Sequence, residues 1–248
     1  MKNAEAWRPS KYIQRNGHLA ASRDRAEVSV GSRLMTDLIA RTYETNLPKH
    51  ARGRLLDLGC GKVPLYLAYR GLVAENTCVD WQNTLHKNIY LDRECDLTQA
   101  LPFDDASFDT ILLSDVLEHI PEPVLLWNEI ARMLAPSGRL IMNVPFYYRL
   151  HEQPHDYYRY TEFALRRFVD AVGLRLLDLY PIGGAPEIVA DIIAKCSLRV
   201  PMLGEPVAAF VQWITAAVVR TGFGKRVSRG TAADFPFGYF LVAEKPQG

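Results

Sequence analysis

The stretch "RLLDLGCGKVPLY", residues 54–66, decides the fold. Leu55, Leu56 and Leu58 make a short apolar run of the kind that fills a buried strand. Gly59 and Gly61 follow at once and let the backbone turn tightly and approach a ligand. Pro64 stands where a first-turn proline starts a helix, and Gly71 is a candidate helix stop. Strand, glycine turn and helix together open an α/β sheet. In such sheets ligands lie at the carboxyl ends of the strands, near the topological switch point.

The pattern repeats downstream. "NTCVDW" reads as a second strand, and "DTILLSDVLEHI" begins as a third. "EPVLLWNEIARMLAPSG" is a helix, "RLIMNVPF" a fourth strand, and "TEFALRRFVDAVGL" a helix stopped by Gly173. "RLLDLYPI" is a fifth strand and "GYFLVAEKP" a sixth. Alternating strands and helices predict a doubly wound α/β fold with a mostly parallel sheet covered on both faces. Residues 1–50 read as a polar approach or lid segment ending in a helix, with Leu34, Leu38, Ile39 and Tyr43 at helical spacing. Residues 185–230 carry two apolar stretches without a strand signal, a helical insertion before the last strand. The expected organisation is 1–50, then a main domain at 51–184 and 231–248, interrupted by 185–230.

The 248 residues are 48% hydrophobic and 23% charged, as in an ordinary soluble protein with a sizeable core. The net charge of +1 hides an uneven distribution. Residues 1–54 and 195–230 are basic, while residues 55–194 hold 11 Lys/Arg against 20 Asp/Glu. An acidic centre fits a neutral or cationic ligand, and no nucleic-acid partner is expected. The four cysteines, Cys60, Cys78, Cys95 and Cys196, form no CxxC pair and read as buried reduced thiols. With no apolar run of signal-peptide type at "MKNAEAWRPSKYI", the expected compartment is the cytoplasm.

The second strand ends in Asp80, twenty-three residues after Asp57. An acidic residue at about this distance from a glycine turn suits a ribose with two free hydroxyls. A dinucleotide fingerprint would need a third glycine, and its register falls on Pro64. That weakens a nicotinamide-dependent oxidoreductase and leaves an adenosyl ligand without a pyrophosphate.

The blocks "LLDLGCGKVPLY", "CVDWQ", "CDLTQALPFDDASFDTILLSDVLEHIPEP" and "LWNEIARMLAPSGRLIMNVPF", in this order, resemble the class I S-adenosylmethionine-dependent methyltransferases, and within them the group that methylates small molecules. The resemblance implies a Rossmann-like fold with an antiparallel last strand. It implies S-adenosyl-L-methionine as cofactor and S-adenosyl-L-homocysteine as product. It would place Gly59, Gly61 and Asp57 at the methionine end, Asp80 on the ribose hydroxyls, Trp81 along the adenine, and Asp96 with Leu97 at the adenine edge. Ser114 and Asp115 would line the approach to the methyl group. The family often has a third glycine where this chain has Val63, so the path of the turn is open. Asp96 also reads as a helix cap.

"HEQPHDYYRYT", residues 151–161, follows the fourth strand and so falls where an acceptor would be held. His155 is the first candidate for general base, Asp156 its orienter or a substrate ligand, and His151 the second candidate. Tyr157 and Tyr160 could form an aromatic wall, and Arg159 could hold an acidic group. Thr161 also reads as the N-cap of the next helix, with a tyrosine packed beneath it. Glu118 and His119 invite a metal reading, but no further ligand stands at a defined spacing, and no metal is expected.

"PVAAFVQWITAAVV" is too short to span a bilayer. Followed by Arg220, Lys225, Arg226 and Arg229, it suits a lid, a homodimer face or a peripheral membrane contact through 206–229. The expected function is methyl transfer to a small-molecule acceptor, with O-methylation favoured. The competing readings are the oxidoreductase and a cofactor-binding scaffold without chemistry.

Overall fold

The computed structural model describes residues 1–82 and 88–247. It divides into two compact units, one of residues 1–8, 46–180 and 239–248, the other of residues 9–45 and 181–238. The expected N-terminal segment and helical insertion are therefore largely one unit. Residues 83–87 and 248 of the expected main domain lie outside the described residues.

The first unit is built on a seven-stranded sheet. A hairpin of β1 (Tyr12–Arg15) and β2 (His18–Ala21) precedes it in the chain, and the sheet's own strands are β3 (Arg54–Leu58), β4 (Glu75–Asp80), β5 (Arg93–Glu94), β6 (Phe108–Ser114), β7 (Leu134–Pro145), β8 (Arg175–Ile182) and β9 (Gly238–Glu244). The order is β5-β4-β3-β6-β7-β9-β8. β3 pairs in parallel with β4 on one side and β6 on the other, so the chain reverses its direction of travel across the sheet at β3. The switch point therefore lies at the carboxyl ends of β3 and β6. The last strand, β9, is the antiparallel one. Its far end is tied to the start of β7, where Lys245 N–H donates to Gly138 O and Ser137 N–H to Lys245 O.

The core of this unit follows from the apolar runs. Leu56, Leu58, Val79, Ile111, Leu113, Leu140 and Met142 are buried in the sheet. Helix α3 (Pro123–Met133) buries Leu126, Trp127, Ile130 and Met133, one stripe at helical spacing. Trp127 stacks on Phe168 of α4 (Glu162–Ala171), centroids 5.7 Å apart. The expected helix after the glycine turn is only α2 (Tyr66–Tyr69), because Val63 still holds a left-handed φ of 53°. β7 starts earlier than expected. The "APSG" segment bulges between Phe108↔Leu134 and Thr110↔Arg139.

The second unit departs from its sequence reading. Tyr12–Arg15 (β1) and His18–Ala21 (β2) form an antiparallel hairpin rather than a purely polar approach. Helix α1 (Arg33–His50) follows as expected. The insertion contains three helices, α5 (Ala185–Ser197), α6 (Gly204–Val218) and α7 (Gly222–Thr231), where two apolar stretches were legible. Gln212, the polar interruption in α6, is buried and accepts Leu34 N–H while donating to Gly31 O. No single helix among the described residues is long and apolar enough to cross a membrane; α6 and α7 pass such a test only as a pair bent by 100°.

Candidate active site

The glycine turn after β3 is braced from below and open above. Gly59 has φ 67°, and a Cβ there would fall 2.6 Å from Val116 Cγ2, so only glycine fits. Gly61, φ 49°, would place a Cβ in open space. Val63 takes a left-handed conformation unusual for a β-branched residue. Its side chain is buried and its carbonyl accepts Trp7 Nε1–H at 3.2 Å. The turn thus follows a glycine-like path without its third glycine.

Asp80, at the end of β4, ties the neighbouring strand end to the turn. Its Oδ2 accepts Gly61 N–H and its Oδ1 accepts Trp81 N–H, both at 2.9 Å. Asp57 is buried inside β3 and accepts Tyr69 Oη–H at 3.1 Å. Burial pushes its carboxyl up to about 7, against the opposing hydrogen bond from Tyr69. Asp96 is exposed, and its Oδ1 accepts Thr98 N–H and Thr98 Oγ1–H, which makes it a turn cap; Leu97 beside it is buried.

At the end of β6, Asp115 has φ 53°, a strained conformation of the kind found at ligand sites. Asn143 of β7 holds both residues of this corner: Ser114 Oγ–H donates to Asn143 Oδ1 at 2.8 Å, and Asn143 Nδ2 donates to Asp115 Oδ1. Asn143 escaped the sequence reading. Its signal was a polar residue inside the apolar run "LIMNVPF", where a buried amide needs partners.

The loop after β7 has two layers. Asp156 accepts both Arg159 guanidinium nitrogens, at 2.5 and 2.8 Å, and His151 N–H at 2.9 Å. The Arg159 guanidinium holds the Asp156 carboxyl well below the usual carboxylate range. Asp156 therefore serves His151 and Arg159 instead of orienting His155. Arg159 also donates to the carbonyls of Tyr148 and Arg149, so it anchors the loop. Tyr160 is buried, with its hydroxyl donating to Leu117 O and its ring against Phe168. It seals the helix instead of walling a pocket. Thr161 caps α4 by accepting Ala164 N–H.

His155 and Tyr157 form the outer layer. His155 Nδ1 lies 3.2 Å from the Tyr157 hydroxyl, and the His155 ring packs on Trp81. His151 sits deeper, between Asp156 and the fully buried Glu118. Burial lowers its basicity, but these two carboxylates outweigh that and raise it. Burial pushes the Glu118 carboxyl up.

Residues 56–142 match the family model described as "Methyltransferase domain". Over these residues the chain is similar to the S-adenosylmethionine-dependent methyltransferases. A ubiquinone biosynthesis O-methyltransferase of Xanthomonas euvesicatoria pv. vesicatoria (strain 85-10) is 28% identical over 103 residues, 38% of this chain and 43% of that protein. The chain thus spans less than half the length of this curated relative. Among solved structures, the [4+2]-cyclase SpnF superposes with a TM-score of 0.57 at 16% identity, over 97% of this chain and 88% of that one. A Haemonchus contortus phosphoethanolamine N-methyltransferase 2 in complex with S-adenosyl-L-methionine superposes at 0.53 and 16% identity, over 90% and 58%. These structures share the fold. The open space over Gly61, the Asp80 carboxylate at the turn and Pro64, where a dinucleotide fingerprint needs a glycine, fit S-adenosyl-L-methionine.

Proposed function

We propose that this protein transfers a methyl group from S-adenosyl-L-methionine to a small-molecule acceptor, with a hydroxyl oxygen as the favoured nucleophile. The observation that carries this reading is the convergence of the glycine turn, Asp80, the Ser114–Asp115–Asn143 corner and the His155 loop at one edge of the sheet. Support for oxygen comes from the O-methyltransferase relative.

When bound, the cofactor supplies an electrophilic methyl on a sulfonium with a neutral leaving group. Everything else falls to the chain. Gly59 and Gly61 would admit the methionine end, Asp57 would favour its ammonium charge, Asp80 would take the ribose hydroxyls, and Trp81 and Leu97 would flank the adenine. Ser114 and Asp115 flank the transfer path. Alignment of nucleophile and methyl is the largest contribution, up to about 7–11 kcal/mol in favourable cases. His155 removes the acceptor proton, with Tyr157 rather than Asp156 fixing its ring. Asp156, Arg159 and Tyr160 hold the loop in place. A panel of phenolic and aliphatic hydroxyl acceptors with a labelled methyl donor tests the activity, and no transfer to any acceptor would defeat the proposal. His155→Ala is expected to lower kcat/KM by at least about 100-fold. A loss of only a few-fold would remove His155 as the base.

For the second unit we propose peripheral contact with an anionic membrane. Phe210, Trp213 and Phe223 are 61%, 64% and 77% exposed, beside exposed Arg220, Lys225, Arg226 and Arg229. Apolar anchors flanked by cations suit an anionic interface. Flotation with phosphatidylglycerol vesicles, lost in Trp213→Asp/Phe223→Asp, is the expected result. No flotation of the parent chain would overturn it.

A further inference from the structure

We propose that Glu118, His119 and His151 form a binding site for one zinc-type divalent cation, beneath the loop after β7. Their three ligand atoms lie within 4.8 Å of one another. His119 Nε2 and His151 Nε2 each stand 3.7 Å from the same oxygen, Glu118 Oε1. That is too long for a hydrogen bond. It is close to the roughly 3.4 Å between neighbouring ligand atoms around a tetrahedral zinc with bonds of about 2.1 Å.

Glu118 supplies the independent sign. It is 0% exposed, and neither carboxylate oxygen accepts a hydrogen bond. A buried carboxylate without donors is costly, and a cation held by that oxygen and two imidazoles compensates it.

His119 is set up with Nε2 as the ligand atom, while the buried His151 Nδ1 makes no hydrogen bond among the described residues. His119 Nδ1 lies 2.6 Å from the His155 carbonyl, so Nδ1 carries the proton and donates it there. His151 Nδ1 lies 3.2 Å from Asp156 Oδ2, which Arg159 anchors. A carbonyl partner behind the imidazole, as at His119, is a usual outer-shell feature of a histidine-bound metal. Glu152, exposed, has Oε2 at 3.9 Å from His119 Nε2 and can reach a fourth position. Two nitrogens and one oxygen favour zinc, cobalt or nickel over magnesium or calcium. His119 and Glu118 are neighbours on the short turn after β6, while His151 arrives from beyond β7, so spacing along the chain could not bring them together.

This site stands independently of the methyl-transfer reading, and its test needs no substrate. The full chain is stripped with chelator, titrated with zinc chloride by calorimetry, and separately loaded with cobalt(II). One equivalent of zinc should bind, with the visible bands of four-coordinate cobalt. His151→Ala and His119→Ala should each weaken zinc at least about 10-fold, and Glu118→Gln likewise. Circular dichroism spectra and melting curves matching those of the chelator-stripped parent establish that the variants are folded. Should Glu118→Gln fail to fold, the two histidine variants decide. No stoichiometric binding, or binding unchanged in both histidine variants, overturns the proposal.

Discussion

The His155 imidazole meets the Trp81 indole edge to face, with ring centroids 5.1 Å apart. Trp81 follows β4 and His155 lies beyond β7, so this contact reaches over the carboxyl ends of β3 and β6. At about 4.8 Å per strand, three spacings make roughly 14 Å. The loop is therefore a roof over the switch point. Trp81→Ala removes both the roof contact and the proposed adenine neighbour. It should weaken S-adenosyl-L-homocysteine about 10-fold or more by calorimetry, with an unchanged melting temperature.

Asp80 joins the turn and the roof. One carboxylate oxygen accepts from Gly61 and the other from Trp81. Hydrogen bonds to a charged group are worth about 1.5–3 kcal/mol. Asp80→Ala should cost at least about 10-fold in cofactor affinity, and an unchanged Kd would place the ribose elsewhere.

Asp57 titrates at about 7 in the folded chain against an ordinary 3.8, chiefly through burial. Because the folded pKa is the higher one, the folded chain keeps a proton that the unfolded chain loses. This contribution to stability is full below about pH 4 and declines as pH rises through 7. From pH 5 to 8 the parent should lose about 2–3 kcal/mol relative to Asp57→Asn in urea unfolding. The cofactor's ammonium group favours the ionised carboxylate, so S-adenosyl-L-homocysteine should bind more weakly at pH 6 than at pH 8, and Asp57→Asn should flatten that difference.

Asp156 and Arg159 form a largely buried pair with two short contacts. Removing one partner strands the other, at a cost of about 3–5 kcal/mol. Arg159→Ala should lower thermal stability and abolish turnover. Thr161→Ala, which removes only the α4 cap, should cost about 1 kcal/mol and leave kcat/KM within 2-fold.

Much of the sheet was legible because its strands are apolar runs closed by glycine, proline or aspartate, and Asp80 falls at the end of β4. The hairpin at 12–21 was missed although its Asn16-Gly17 pair, φ 52° and 80°, is a strong turn signal. Its flanks are short and half-polar, so alternation is weak there. The loop's division of labour was not legible. Histidine, aspartate and arginine at adjacent positions announce chemistry, but which pair with one another depends on how the backbone folds back. Asp156 turns to His151 and Arg159 while its neighbour His155 turns to Trp81. Glu118 gave no sign that His151, thirty-three residues on, would come to it.

The most direct test of the central claim is a calorimetric titration of the full chain with S-adenosyl-L-homocysteine and, in parallel, with NAD. One site for S-adenosyl-L-homocysteine, lost in Asp80→Ala, and no heat with NAD is the predicted result. Binding of NAD in its place, or no binding of S-adenosyl-L-homocysteine, would contradict it.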